Sequence, residues 1–160
     1  MGTVAPLIRR MEPKDVAGVA LLEQENFADA WTEAMLQVEL KNPVAQVYVL
    51  EQQGQVIGYA DFWLVAGAAQ LNRIAVVKNQ QGQGLGKYFL GKLIEQFWDS
   101  RVESMTLEVR NNNLVAQKLY AGLGFRQEGC RKDYYGKGID GIIMCFGIAH
   151  SVIPGMRDEG

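Results

Sequence analysis

Three glycines at alternate positions stand where an extended segment gives way to a helical one. The stretch QGQGLGK at 81–87 follows an apolar run and precedes an amphipathic helical pattern. Gly82, Gly84 and Gly86 leave the backbone uncovered at a helix start, where the first amide groups have no partner within the helix. Such amides, at the positive end of the helix dipole, can bind a phosphate or pyrophosphate group. The glycines alone leave a plain strand-to-helix turn equally open.

The spacing of these glycines excludes two common phosphate-binding loops. A dinucleotide-binding loop requires G-x-G-x-x-G, but Lys87 or Phe89 occupies the place of the last glycine. A P-loop requires Ser or Thr after its Lys, and Tyr88 follows Lys87. Neither of these two motifs is therefore present at the glycine turn.

Glu108 is a candidate general base. In a strand MTLEVR, alternation puts Glu108 on the face opposite to the apolar side chains Met105, Leu107 and Val109. Partial burial there would raise its proton affinity toward the value that a base needs near neutral pH. The structural alternative is a carboxylate paired with a neighbouring arginine.

Tyr120 is a candidate proton donor. We expect Val115, Leu119 and Leu123 to form the core stripe of its helix, with Tyr120 beside that stripe. A phenol in this position could protonate a leaving group. The alternative is a helix-edge aromatic residue whose hydroxyl lies in water.

The elements that must hold these side chains follow from the hydrophobic patterning. The order is a strand, two helices, three strands, a helix, a strand, a helix and at least one further strand. Helices alternate with strands only in the second half, which predicts a parallel crossover there on a sheet whose first half is antiparallel. The fold class is α/β with a mixed sheet, in a single domain over 1–150. The last residues, 151–160, are predicted to be a disordered tail.

Composition excludes several classes of function. The chain has 160 residues, a net charge of −2, two cysteines and one histidine. We therefore expect no structural zinc site, and no basic face for nucleic acid. No apolar run is long enough to span a membrane and no secretory signal is present, so a cytoplasmic location is the default expectation.

The motifs resemble those of one enzyme superfamily. The stretch 81–86 matches the Q/R-x-x-G-x-G/A signature of the GCN5-related N-acetyltransferases (GNAT), and the pattern N…A…LY…LGF at 113–125 matches a second region. The resemblance extends from Leu7 to Ile148. Within the superfamily, the chain most resembles the ribosomal-protein-alanine N-acetyltransferases of the RimI type, in the stretches FADAWTEAML, LNRIAV, LEVRNNN, LYAGLGF, RKDYY and DGIIM.

This resemblance implies a fold and a cofactor site. The fold would be a central mixed sheet of about six or seven strands with helices on both faces and two splayed parallel strands at the cofactor. Acetyl-coenzyme A would bind there and leave as coenzyme A. The residues implied to contact it are Ile74, Ala75, Val76, Gln81, Gly82, Gln83, Gly84, Leu85, Gly86, Lys87, Asn113 and Tyr120.

The resemblance also implies the reaction. Glu108 would be the base and Tyr120 the acid in direct acetyl transfer to an amine, most simply the N-terminal alanine amine of a ribosomal protein. The alternatives are a small amine acceptor (polyamine, amino sugar or amino acid) and a non-catalytic acyl-coenzyme-A sensor. We expect a monomer or weak dimer without membrane or nucleic-acid partners. The acceptor side would comprise Phe27, Trp31, Glu108, Tyr134, Tyr135 and Asp140.

Three features depart from this pattern or compete with the proposed chemistry. Ala30 precedes Trp31 where the RimI type commonly has proline, and Ile139 precedes Asp140 where an acidic pair is common. Both departures concern the acceptor side. Cys130 and Cys145 could suggest a cysteine nucleophile, but no histidine stands in a motif to activate one, so we expect buried, inert thiols.

Overall fold

The computed structural model describes residues 5–78 and 84–147. Within these residues a seven-stranded sheet has the order β1-β2-β3-β4-β5-β7-β6. The strands are β1 Leu7–Arg10, β2 Ala45–Gln52, β3 Gln55–Val65, β4 Ala68–Val76, β5 Ser104–Arg110, β6 Arg126–Gly136 and β7 Ile139–Gly147. The helices are α1 Val16–Asn26, α2 Glu33–Leu40, α3 Leu85–Trp98 and α4 Leu114–Gly122, with a short 3-10 turn at Pro13–Asp15 before α1.

The predicted fold class is confirmed. Strands β1 to β3 pair antiparallel, and β4 pairs with β5 in parallel from Ala68↔Ser104 to Leu71↔Leu107. Strand β7 then pairs antiparallel with both β5 and β6. The sequence patterning did not define β6 as a separate strand, because its exposed, mostly polar residues show no alternating apolar face.

Local sequence explains several element boundaries. Thr32 caps α2, since its hydroxyl accepts a hydrogen bond from the Met35 amide at 3.2 Å. The β2–β3 hairpin turns at Gln53 and Gly54, both with positive φ. Gly124 ends α4 with φ +108°, and a Cβ there would lie 2.7 Å from the ring of Phe146.

The described chain forms two compact units, each with its own packed interior. The first unit comprises residues up to Leu64 together with Asn72–Phe89, and the second comprises Val65–Leu71 and the residues from Leu90 onward. The assignment of 1–150 to one domain stays a prediction. The core of the first unit contains Met11, Val16, Val19, Ala20, Leu22, Leu36, Val47, Val49, Tyr59 and Ala75.

The second unit buries one face of α3 and one face of β5. Phe97 and Leu93 confirm the predicted apolar stripe of α3, and both are almost fully buried. Met105, Leu107 and Val109 are buried as the alternation of β5 predicts. The burial of these three side chains leaves the opposite face of β5 for polar side chains.

A buried carboxyl group lies within the first unit. Asp61 on β3 is fully buried, and its Oδ1 atom has no hydrogen-bond donor in the described chain. Asn72 Nδ2 lies 3.5 Å from Oδ2. Burial first, and a hydrogen bond with Glu39 of α2 second, raise the pKa of Asp61 to about 9. A proton on Asp61 lets this carboxyl group donate a hydrogen bond to the Glu39 carboxylate, which joins β3 to α2.

Candidate active site

The candidate base is on the polar face of β5. Thr106, Glu108 and Arg110 lie opposite the buried side chains of this strand, and the side chain of Glu108 is 23% exposed. Glu108 therefore lies at the border of the core, where its carboxylate can contact both solvent and neighbouring strands.

Glu108 contacts two residues that the sequence did not single out. Arg131 Nε on β6 lies 3.2 Å from Glu108 Oε2, so the arginine pairing left open by the sequence exists. Gly141 on β7 packs directly against the carboxylate, because a Cβ at this position would lie 2.7 Å from Oε2. The sequence pattern alone could not predict these two contacts, because they depend on the register that pairs Arg131 of β6 with Gly141 of β7.

Tyr120 is the buried residue of α4, and the predicted stripe of that helix is wrong. Val115 is 82% exposed and Leu119 half-buried, whereas Tyr120 packs edge-on against Phe125 with ring centroids 5.8 Å apart. The helix has only nine residues, so one turn of contact decides which side faces inward. Tyr120 is therefore inside the protein rather than beside its core.

The environment of Tyr120 keeps its hydroxyl protonated. Burial first, and the nearby Tyr135 second, raise the pKa of Tyr120 to about 12. A phenol with this pKa retains its proton at neutral pH until a stronger base forms beside it. This is the protonation state that a proton donor needs.

The β6–β7 hairpin brings the predicted acceptor residues of the second unit together. Tyr134 and Tyr135 form an edge-on pair at 5.0 Å, and Arg110 lies over the Tyr135 ring at 4.4 Å. Asp140 accepts a hydrogen bond from the Asp133 amide at 2.9 Å. Asp140 is therefore engaged in shaping the hairpin, and its predicted contact with an acceptor stays a prediction.

The start of α3 has the geometry expected of an anion-binding helix end. Gly84 has φ +80° and open space where a Cβ would be, and Tyr88 donates the first helical hydrogen bond to the Gly84 carbonyl. The amides of Leu85, Gly86 and Lys87 thus have no acceptor within the helix. Lys87 is exposed at this end. Gln81, Gly82 and Gln83 lie outside the described residues.

The strand before this helix carries the other predicted cofactor contacts. Ile74, Ala75 and Val76 form the last part of β4, beyond Leu71, the last β4 residue paired with β5. Asn26 donates a hydrogen bond to the Val76 carbonyl at 3.3 Å. Asn113, predicted on the cofactor arm, caps α4 by accepting from the Ala116 amide at 3.1 Å. The predicted cofactor contacts of all four residues stay predictions.

A buried carboxylate organises the aromatic loop of the first unit. Glu23 on α1 is fully buried and accepts hydrogen bonds from the Tyr59 hydroxyl, the Trp31 amide at 2.9 Å and Arg73 Nη2 at 3.0 Å. The same Arg73 guanidinium lies 4.1 Å from the ring centroid of Phe27 and 4.7 Å from that of Trp31. Phe27 and Trp31 are thus held by a network whose centre, Glu23, the sequence did not reveal.

The thiols differ from expectation. Cys130 is exposed and Cys145 half-buried, so the prediction that both are buried is wrong. Partial desolvation and then the Asp140 carboxylate, whose Oδ2 lies 3.7 Å from the Cys130 sulfur, raise the pKa of Cys130. Cys130 therefore favours the thiol over the nucleophilic thiolate.

Neither a metal centre nor a membrane span is found in the described chain. Residues 5–78 and 84–147 contain no group of three or more His, Cys, Asp or Glu side chains placed to hold a metal ion. Among the same residues, none of the helices combines the length and apolar character that crossing a bilayer would demand.

The fold and these side chains define the class of protein. A mixed sheet with one parallel pair, a glycine-started helix after β4 and a carboxylate on β5 are what the GNAT resemblance implied. The model of the acetyltransferase (GNAT) family matches residues 16–125, and the chain belongs to this family.

Similar proteins narrow the assignment to N-acetyl transfer. A putative [ribosomal protein bS18]-alanine N-acetyltransferase of Bacillus subtilis is 34% identical over 139 residues, covering 86% of this chain and 92% of the relative. The crystal structure of the ribosomal-protein-S18-alanine N-acetyltransferase from Escherichia coli matches with a TM-score of 0.82 and 31% identity, covering 89% of this chain and 94% of that one. The chain is an N-acetyltransferase most similar to the RimI type.

A third similarity shows what the fold leaves open. A spermidine N-acetyltransferase chimera from Vibrio cholerae and hSSAT also matches with a TM-score of 0.82, at 18% identity over 93% of this chain and 99% of that one. At this identity only the fold is shared. The fold therefore does not choose between a protein and a small-molecule acceptor.

Proposed function

We propose that this enzyme transfers the acetyl group of acetyl-coenzyme A to the N-terminal amine of a protein, namely the alanine of a bS18-like ribosomal protein. The observation that carries the reaction is Glu108, a partly exposed carboxylate on the polar face of β5. The acceptor is inferred from relatives at 30% identity or more that are named for this alanine. Such an acceptor would be met in the cytoplasm, by a monomer or weak dimer.

Two proton transfers accompany the reaction. The acceptor enters as the neutral amine, its nitrogen forms a bond to the acetyl carbon, and Glu108 takes the one proton that this nitrogen loses and later releases it to solvent. The C–S bond breaks, and Tyr120 gives its proton to the departing thiolate. The phenolate is then reprotonated from solvent. The pKa of Tyr120, about 12, means that the phenol carries its proton at neutral pH, the form in which it can donate.

The start of α3 fits the pyrophosphate of the cosubstrate. The amides of Leu85, Gly86 and Lys87 have no acceptor within the helix, and among the described residues nothing lies within 4 Å of the place where a Gly84 Cβ would stand. Lys87 adds a mobile positive charge at the same end. In this proposal residues 81–87 contact the phosphates. Residues 74–76 and Asn113 contact the pantetheine arm.

A panel of acceptors tests the function. The protein is incubated with acetyl-coenzyme A and alanine-, serine- or glutamate-starting peptides, or with spermidine, glucosamine and free alanine, and thiol release and product mass are measured. We expect the alanine peptide to be acetylated at its N-terminus and the free amines to react poorly. Reaction of free amines alone would show that the acceptor is a small molecule.

Two substitutions separate an enzyme from a sensor. Glu108→Gln and Tyr120→Phe are each expected to lower kcat by about 10²- to 10⁴-fold, the usual contribution of a positioned acid or base. Calorimetry should show unchanged affinity for acetyl-coenzyme A. Unchanged turnover in both variants would refute these roles, and binding without any transfer by the wild type would indicate a sensor.

The exposure of Cys130 makes the direct mechanism testable. In direct transfer, mass spectrometry of the enzyme with acetyl-coenzyme A and no acceptor shows no acetylated protein, and Cys130→Ser retains full activity. Accumulation of an acetyl-enzyme that disappears in Cys130→Ser would instead establish a covalent intermediate.

A further inference from the structure

The two carboxylate oxygens of Glu108 have different surroundings. Oε2 is buried and faces Gly141, whose absent side chain leaves just enough room for it. No described residue donates a hydrogen bond to Oε1. Unlike Oε2, Oε1 is not a buried atom, so of the two oxygens Oε1 has access to solvent. Oε1 is therefore the oxygen that a solvent-borne amine can reach.

One charged group lies against the buried oxygen as an ion pair, and Oε2 has no hydrogen-bond partner among the described residues. Arg131 Nε lies 3.2 Å from Oε2, and its guanidinium lies 5.1 Å from the centroid of the Tyr134 ring. The backbone of Arg131 is fixed by its pairing with Gly141, immediately before the β6–β7 register becomes irregular. Strand pairing on one side and a ring on the other thus limit where this guanidinium can go.

Among the described residues around Glu108, Arg131 is the one placed to fix the position of its carboxylate. On β7 the strand partner of Glu108 is the apolar Ile143, and Gly141, which packs against the carboxylate, has no side chain. On β5 itself Arg110 lies over the ring of Tyr135. Tyr135 interacts electrostatically with Glu108 but is not hydrogen-bonded to it in the described chain. The Arg131 cation is the group in direct contact with the carboxylate.

We propose that Arg131 is a positioning residue that holds Oε2 of Glu108 beneath Gly141 and so presents Oε1 to the acceptor amine. This inference rests on the proposed role of Glu108 as the base. In it Arg131 contacts neither acceptor nor cosubstrate, and no proton passes through it. Its effect is to restrict the carboxylate to one orientation, because a misplaced catalytic group loses much of its rate advantage.

Three variants test the proposal by kinetics. Arg131→Met removes the charge, Arg131→Lys keeps it, and Lys132→Met removes the adjacent exposed charge as a matched control. Arg131 is 56% exposed, so its loss is expected to leave the fold intact. We expect Arg131→Met to lower kcat about tenfold or more, since displacements of about 1 Å can cost about 10²-fold. The KM for acetyl-coenzyme A should stay within about twofold.

Rescue distinguishes positioning from a merely structural role. Arg131→Lys should recover most of the lost kcat, and Lys132→Met should behave like the wild type. Wild-type kcat in Arg131→Met would overturn the proposal. So would equal losses in all three variants, because net charge would then explain them.

A crystal structure of Arg131→Met supplies a test that does not need activity. We expect the Glu108 carboxylate to leave the space beneath Gly141 or to occupy more than one rotamer, whereas Lys132→Met keeps the single orientation. An unchanged Glu108 in Arg131→Met refutes the positioning role even if the enzyme is active. A displaced Glu108 in a protein whose wild type transfers no acetyl group would instead refute the proposed function alone.

Discussion

Replacing Asp61 by asparagine should make the stability of this protein less dependent on pH. The pKa of Asp61 is raised by burial and by Glu39 from 3.8 to about 9. Between these values the folded protein holds a proton that the unfolded chain releases. The stabilisation due to this proton is complete below pH 3.8 and is lost as the pH rises to about 9.

The size of the effect follows from proton linkage. One extra bound proton lowers the free energy of unfolding by up to about 1.4 kcal/mol for each pH unit. Between pH 5.5 and 8.5 this amounts to at most about 4 kcal/mol, or a shift in Tm on the order of 10 °C for a protein of this size. Asparagine keeps an oxygen for Asn72 and supplies N–H donors without titrating.

Urea denaturation followed by tryptophan fluorescence measures this effect. The free energy of unfolding is compared for wild type and Asp61→Asn at pH 5.5, 7.0 and 8.5, so that other titrating groups cancel in the difference. We expect the variant to gain on the wild type as the pH rises. The control Asp99→Asn, at an exposed position, should show a constant difference. A constant difference for Asp61→Asn as well would refute the assignment of a protonated Asp61.

Three further substitutions probe other parts of the structure. Burial raises the pKa of Asp15, but the hydrogen bonds from Arg9 and the Glu12 amide, with the nearby positive charges, together lower it. Asp15→Asn removes the negative charge that these groups stabilise, so we expect a loss of about 1.5–3 kcal/mol at pH 7 that shrinks as the pH falls below 3.8, measured by urea titration. Gly141→Ala puts a Cβ 2.7 Å from Oε2 of Glu108, so kcat should fall at least about tenfold. Calorimetry should show normal binding of acetyl-coenzyme A. Full activity would show that the carboxylate can shift freely. Thr32→Ala removes the cap of α2 and should lower Tm by a few degrees, corresponding to about 1 kcal/mol, without changing kcat.

Most of the fold could be predicted from the sequence, because the hydrophobic periodicity and the turn residues between elements agreed in most segments. The alternation in β5 correctly separated the buried face from Glu108, and the four-residue spacing in α3 correctly marked Phe89 and Phe97. Helix α4 was misjudged because nine residues give too little periodicity to choose between neighbouring stripes. Tertiary packing on Phe125 made Tyr120 the buried residue instead.

The candidate site was only partly readable because its supporting contacts join residues far apart in the chain. Glu108 and Tyr120 stand in motifs, whereas Arg131 reaches Glu108 only through the register of β6 on β7. Glu23 looked like an ordinary helix residue, since nothing in its local pattern shows that Arg73, fifty positions later, binds it. Long-range pairing of this kind is set by topology rather than by local sequence.

The network around Glu23 has a consequence for attempts to alter acceptor preference. One carboxylate joins α1, the Trp31 backbone, β3 and β4, so the aromatic loop and the strand that we propose contacts the pantetheine arm share a common electrostatic anchor. Transplanting a loop from a relative with another acceptor would take away the rings of Phe27 and Trp31 that flank Arg73, while Arg73 and Glu23 stay in place. Engineering a new specificity here therefore requires exchanging loop, anchor and strand residue as one unit.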